Sequence, residues 1–119
     1  MSLNWTKTAL ELDELLDAWH GARAEAWAYT VGHGVFVLAL HRPPRVAYIQ
    51  FKDCQSIQLH RPFWEPSDLA VSRVLDRLGV VHTFIDPGNF QLVCCAAFGA
   101  ESDHPIFSAF FDSDHQEQR

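Results

Sequence analysis

Two adjacent cysteines, Cys94 and Cys95 in the segment NFQLVCCAAFG, are the first residues to consider for redox or metal chemistry. Neighbouring side chains on a strand point to opposite faces, so these thiols cannot share one metal or one pocket without breaking the pleat. The local sequence offers no cation or helix N-terminus that would lower a thiol pKa. We predict that both pack as small hydrophobic residues, with a vicinal disulfide or a redox switch as the alternative. Cys54, in the polar segment KDCQ, is expected to be more exposed and to react with alkylating reagents.

Histidine is frequent, with seven residues in 119, and its chemistry would be metal binding or acid–base work. The spacing gives no H-x-H pair, no H-x-x-x-H pair and no C-x-x-C motif, so a metal site would need ligands from distant segments. We therefore predict neither a metal nor a cofactor. His41, His60 and His82 fall on predicted strands, where Asp53 or Asp86 would be available to orient one of the rings.

Aromatic side chains form the second candidate group. Several of them alternate away from the aliphatic face of the predicted sheet, and such a face suits a ligand or a partner protein. The candidate ligand-binding residues, in a pocket between the sheet and the helices, are Trp27, Tyr48, His60 and His82. The alternative is that a helix covers this face and that the aromatic residues belong to the core.

Sequence motifs of common enzymes are absent: there is no nucleophile elbow, P-loop or dinucleotide fingerprint, and GHG at 32 to 34 predicts a turn. We therefore expect no catalytic residues and a non-catalytic protein. A small enzyme is the alternative, because small catalytic pockets often leave no linear motif.

Composition and charge narrow the class of protein. With 48% hydrophobic and 20% charged residues, the chain has enough apolar material for a core, so we predict one globular domain over 1–119 with a frayed tail over about 112–119. A formal charge of −6 opposes nucleic-acid binding. The longest apolar run, over 92–98, has seven residues, too few to cross a membrane. Three cysteines without a signal-peptide pattern predict the cytoplasm.

Two amphipathic helices are predicted. Thr8 and Glu11 form a capping box, and apolar residues follow at helical spacing until Gly21. The second helix is predicted after Ser67 as its N-cap, with Gly79 just past its end. The apolar residues of the two helices are Leu12, Leu15, Leu16 and Trp19 in the first, and Val71, Val74, Leu75 and Leu78 in the second.

Strands are predicted where the apolar period changes to two. The strongest prediction is a hairpin in which VFVLAL and VAYIQF pair about the turn RPPR. On one face the predicted pairs are Leu40 with Ala47, Leu38 with Ile49 and Phe36 with Phe51. On the other face they are His41 with Val46, Ala39 with Tyr48 and Val37 with Gln50. KDCQ predicts a turn or bulge before a further strand, SIQLHRPF. A last hairpin about DPGN is predicted to place on its core face Val81, Thr83, Ile85, Phe90, Leu92, Cys94, Ala96 and Phe98.

These elements predict an α+β fold: a mostly antiparallel, twisted sheet of five to six strands with two helices on one face, in the order α-β-β-β-β-α-β-β. In broad type such a chain resembles small immunity or accessory proteins, although no motif carries that resemblance. We predict an interaction module that binds another protein or forms a homodimer, with no nucleic-acid or membrane partner; a small-molecule-binding domain is the alternative. The predicted interaction surface is a sheet face, a sheet edge or the C-terminal segment, where a short helix is expected from about Pro105. The candidate interface residues in that segment are Ile106, Phe107, Phe110 and Phe111.

Overall fold

In the residues that the structure describes, the fold is one antiparallel sheet with a helix on one face. The computed structural model describes residues 3–30, 34–77 and 79–105. In chain order these residues form α1 (Ala9–Ala18), β1 (Arg23–Thr30), β2 (Val35–Arg42), β3 (Arg45–Leu59), β4 (Phe63–Trp64), β5 (Ala70–Asp76), β6 (Gly79–Asp86) and β7 (Phe90–Ser102). Across the sheet the order is β4-β1-β2-β3-β7-β6-β5. The predicted class, helix plus mostly antiparallel sheet, is confirmed; the predicted second helix and the count of five to six strands are wrong for this part of the chain.

Helix α1 begins where its capping box predicts. The Thr8 hydroxyl accepts the backbone N–H of Glu11 at 3.1 Å, and the Glu11 carboxylate accepts the N–H of Thr8 at 3.2 Å. The helix lies close to β7 because Gly99 has no side chain: a Cβ there would approach the Cδ1 atoms of Leu12 and Leu15 to 3.1 Å. The predicted apolar stripe is therefore the surface that packs on the sheet.

The segment predicted as the second helix is strand β5. It pairs with β6 along its whole length, from Ala70 opposite Ile85 to Asp76 opposite Gly79. Gly79, with φ of +126°, closes this hairpin and does not end a helix. The apolar spacing fits a helix, but the β-branched valines of the segment also fit a strand, and pairing with β6 decides between the two. Leu78 of the predicted helix lies outside the described residues.

The β2–β3 hairpin has the predicted register, with all six predicted pairs present. Phe36, Leu38 and Leu40 belong to the main core, which lies under α1. The opposite face is also buried: Tyr48 is fully covered there, in a second cluster of apolar residues that Trp5 and Trp27 flank. Both faces of the central strands are thus covered here, which gives β2 and residues 46–51 of β3 almost continuous burial.

The KDCQ segment does not end a strand. β3 continues through it to Leu59, with Asp53 at φ +55°. Phe51 and Cys54 both pack into the main core although they are three residues apart, because the left-handed residue between them breaks the alternation of faces. The register with β7 shifts between Cys54 and Ser56, so the bulge that the sequence allowed in this segment is the correct alternative.

In the β6–β7 hairpin, β7 has Phe90 and Leu92 in the core as predicted, whereas β6 has the face opposite to the predicted one in the core. Asp86 lies opposite Phe90 and Phe84 opposite Leu92, so three residues, 87–89, form the connection. Phe84 is fully buried, whereas Ile85 is 38% exposed. An odd number of connecting residues shifts the pairing by one position, and a shift of one residue exchanges the two faces of a strand. The predicted core face therefore mixes residues from both faces.

Candidate functional site

The outer edge of β5 is the most exposed apolar part of the sheet. β5 is the terminal strand, so its outer side has no strand neighbour among the described residues. Leu75 is 80% exposed and Val74 62% exposed, and Val80 on the neighbouring strand lies directly opposite Leu75. We call this strand edge, with Val74, Leu75 and Val80, the β5 edge. A long edge with apolar side chains is a template for pairing with another strand.

The other end of the sheet is partly covered. Its terminal strand, β4, has two residues, and the guanidinium of Arg23 lies 4.7 Å from the centre of the Phe63 ring. The backbone N–H of Ala26 in β1 donates to the carbonyl of Pro62 at 2.8 Å, which covers a further position of that edge. Short strands and charged residues are common means of preventing edge pairing, and the β5 edge is long and apolar by comparison.

A polar cluster fixes the β5–β6 hairpin to α1. The Arg73 guanidinium donates to both carboxylate oxygens of Asp13, at 2.9 and 3.1 Å, and its Nε–H donates to Nδ1 of His82 at 3.0 Å. Burial, followed by the positive charge of Arg73, lowers the pKa of His82. The neutral ring suits the observed contact, because Nδ1 can accept a hydrogen bond only when it carries no proton. The cluster holds β5 in place while leaving its outer edge open.

The four predicted ligand-binding residues lie in three places. The rings of Trp27 and Tyr48 are 5.7 Å apart on the face opposite α1, and the ring of His41 lies 5.9 Å from Trp27. His82 is on the α1 face, in the cluster with Arg73. His60 is exposed just after β3. The structure thus brings Trp27 and Tyr48 together and leaves His60 and His82 apart from them and from each other.

A cleft of about 600 Å³ lies between β1 and the second half of β3. It forms where β3 runs on past Phe51, the last β3 residue that pairs with β2. Its walls are largely apolar, with polar atoms from Gln55 and Ser56, and they include Trp27, Tyr29, Phe36 and Leu59. The volume is within the range of small-molecule sites.

The exposure of two of the three thiols differs from the prediction. Cys94 is fully buried, as expected, but Cys95 is exposed, and Cys54 is partly buried. Burial raises the pKa of Cys54 to about 11 and that of Cys94 to about 12. The prediction for Cys95 was wrong because its side chain faces away from the core. Neighbouring residues of a strand point to opposite faces, so burial of Cys94 implies exposure of Cys95.

The two carboxylates considered as partners for histidine have other roles. Asp86 is 3% exposed and accepts the indole N–H of Trp64 at 2.7 Å, while Asp53 lies within β3 with a left-handed backbone, φ +55°. Among residues 3–30, 34–77 and 79–105, no group of three or more His, Cys, Asp or Glu side chains is arranged to hold a metal ion. In the same residues, no helix is long and apolar enough to cross a membrane.

Comparison with protein-family models, with curated proteins and with solved structures finds no match to this chain. The site must therefore be judged on its own geometry. The predicted interface residues Ile106, Phe107, Phe110 and Phe111 lie outside the described residues, as does the short helix predicted after Pro105. The apolar spacing predicts a helix with Val74 and Leu75 on its apolar face, and so does not reveal the β5 edge. The signal that favours a strand is the β-branched content of 70–76.

Proposed function

We propose that this protein is a non-catalytic interaction module that pairs with a second copy of itself through the β5 edge. The observation that carries the proposal is the exposure of Leu75 and Val74, 80% and 62%, on a seven-residue terminal strand. Strand pairing supplies hydrogen bonds to the backbone groups on the outer side of β5, and burial of the apolar side chains adds hydrophobic stabilisation. A second copy presents the same edge, so the two surfaces are complementary by symmetry.

The symmetry of an antiparallel pair fits β5. Two β5 strands related by a twofold axis through Arg73 place Val71 opposite Leu75 of the other copy, so apolar side chains meet on the α1 face. The charge of each Arg73 is compensated within its own chain by Asp13. The joined sheet would then end in β4 at both sides, and the short β4 edge with its Arg23 cover opposes further addition. The expected product is a closed dimer.

The wider role that we propose is accessory, of the immunity-protein type, in the cytoplasm. The formal charge of −6 supports partners other than nucleic acids, because it repels phosphate groups.

The test is sedimentation velocity on the full chain over a wide concentration range, with two matched variants. Leu75→Lys places a charge in the proposed interface and should weaken self-association about a hundredfold, since each dimer loses two buried leucines. Leu10→Lys is the control, because Leu10 is 68% exposed on α1 and lies outside the β5 edge. A wild-type chain that stays monomeric throughout, or equal weakening by both variants, contradicts the proposal.

The apolar cleft supports a second candidate function, the binding of a small hydrophobic molecule. Trp27 and Tyr29 line the cleft, and aromatic walls with a few polar groups are typical of such sites. Native mass spectrometry of gently purified protein should then reveal an added mass of a few hundred daltons that Ile57→Glu removes. Bare protein, with no bound molecule after incubation with hydrophobic fluorescent probes, would exclude this function.

A further inference from the structure

Cys54 and Cys94 lie directly opposite each other in the β3–β7 ladder. Opposite residues of an antiparallel pair have Cα atoms about 4.5 to 5.5 Å apart, and disulfides span Cα distances of about 4.4 to 6.8 Å. Both side chains contact the same core cluster under α1, so they leave the sheet on the same side. Backbone position and side-chain direction therefore both allow a bond between the two sulfur atoms.

Of the two thiols, only Cys54 lines the cleft. Cys54 is partly buried and lines the apolar cleft, whereas Cys94 is fully buried. The Cys54 thiol lies 3.5 Å from the carbonyl oxygen of Phe51, to which it donates. A reagent that enters the cleft thus meets Cys54 first, and Cys94 lies behind it. Exposed Cys95 contacts the side-chain amide of Gln55, 3.6 Å from its sulfur, and does not face the core.

We propose that Cys54 and Cys94 are a redox-sensitive thiol pair that closes to a disulfide between β3 and β7. The oxidant is a small-molecule disulfide. The Cys54 thiolate attacks one of its sulfur atoms, which forms a mixed disulfide and releases one thiolate. Cys94 then loses its proton and attacks the Cys54 sulfur, which releases the second thiolate. The protein loses two hydrogen atoms, and the reagent is reduced to two thiols.

The environment makes this pair slow to react at neutral pH. Burial stabilises both thiols in their protonated form, so little thiolate is present until the pH approaches the raised pKa values. Between pH 7 and pH 9 the thiolate fraction of Cys54 rises about tenfold per pH unit, and the closure rate should rise with it. The bond would replace the contact of Cys54 with Phe51 and remove a polar hydrogen from the cleft wall.

Oxidised glutathione with the full-length chain at pH 9 tests the proposal. The wild type should lose two hydrogen atoms by intact mass, and peptide mapping should locate the bond at Cys54–Cys94, reversible with reductant. Cys95→Ser, the control, should close in the same way. Cys94→Ser should stop at a glutathione adduct on Cys54.

Three results would overturn the proposal. The first is a bond that involves Cys95, the second a stable adduct on Cys54 in the wild type, and the third a wild type that does not react. Mapping on the wild type needs no substitution, so a variant that fails to fold does not affect the decision.

Discussion

At the scale of single residues, two polar side chains that the sequence suggests for ligand binding or acid–base chemistry make structural contacts. Asp86 accepts three hydrogen bonds: from the Trp64 indole and the Asp68 backbone N–H, both at 2.7 Å, and from the Asn89 amide at 3.2 Å. It thereby connects the end of β6 to β4 and to the turn before β7. His82 likewise contacts Arg73 and lies apart from the other predicted ligand residues.

We predict that Asp86→Ala lowers the free energy of unfolding by about 3 kcal/mol, because a buried indole N–H and a backbone N–H lose a charged acceptor. Asp86→Asn keeps one acceptor oxygen and should cost about half as much. Urea unfolding followed by tryptophan fluorescence measures both. Equal stability of Asp86→Ala and wild type would show that the three contacts contribute little.

His82 should make stability depend on pH. Its pKa is lowered in the folded protein from the usual 6.5, by burial and by Arg73, so the unfolded chain takes up the proton first as the pH falls. The contribution of His82 is therefore fully present above about pH 6.5 and is lost as the pH falls below it. His82→Gln should flatten this part of the profile in urea unfolding between pH 5 and pH 8.

The control for the pH profile is His60→Gln, which replaces an exposed histidine outside the Arg73 cluster and should keep the wild-type slope. The same slope in wild type and His82→Gln would assign the pH dependence to other groups.

At the scale of elements, the sequence predicts correctly the features that residues close together in the chain determine. The α1 capping box lies within four residues, and the β2–β3 register follows from six apolar and polar pairs about one turn. The segment 70–76 has a pattern that serves both a helix and a strand, and only its pairing with β6 selects the strand. The 87–89 connection could not be predicted from apolar spacing alone, because one residue more or less exchanges the two faces.

Packing of α1 on β7 depends on Gly99. Gly99→Val would place carbon atoms where the side chains of Leu12 and Leu15 now lie, so we predict a loss of about 2 kcal/mol of stability. Thermal and urea unfolding both measure this loss. Unchanged stability would mean that α1 can move away from the sheet without cost.

At the scale of the whole molecule, the two ends of the sheet differ. The β4 end is short and carries Arg23 over Phe63, while the β5 end is long and exposes Val74 and Leu75. This asymmetry follows from strand order, which the sequence pattern does not reveal, so the sequence predicts a sheet edge only as one of three possible interfaces and does not identify the strand. The proposal of a closed dimer depends on it.

Amide hydrogen exchange as a function of protein concentration tests the dimer most directly. If two copies pair through β5, the amides of 70–76 on the outer side of the strand should exchange more slowly as the concentration rises, while those of β4 exchange at a constant rate. Exchange in 70–76 that is independent of concentration, or protection that develops only in another segment, would contradict the β5 edge as the interaction surface.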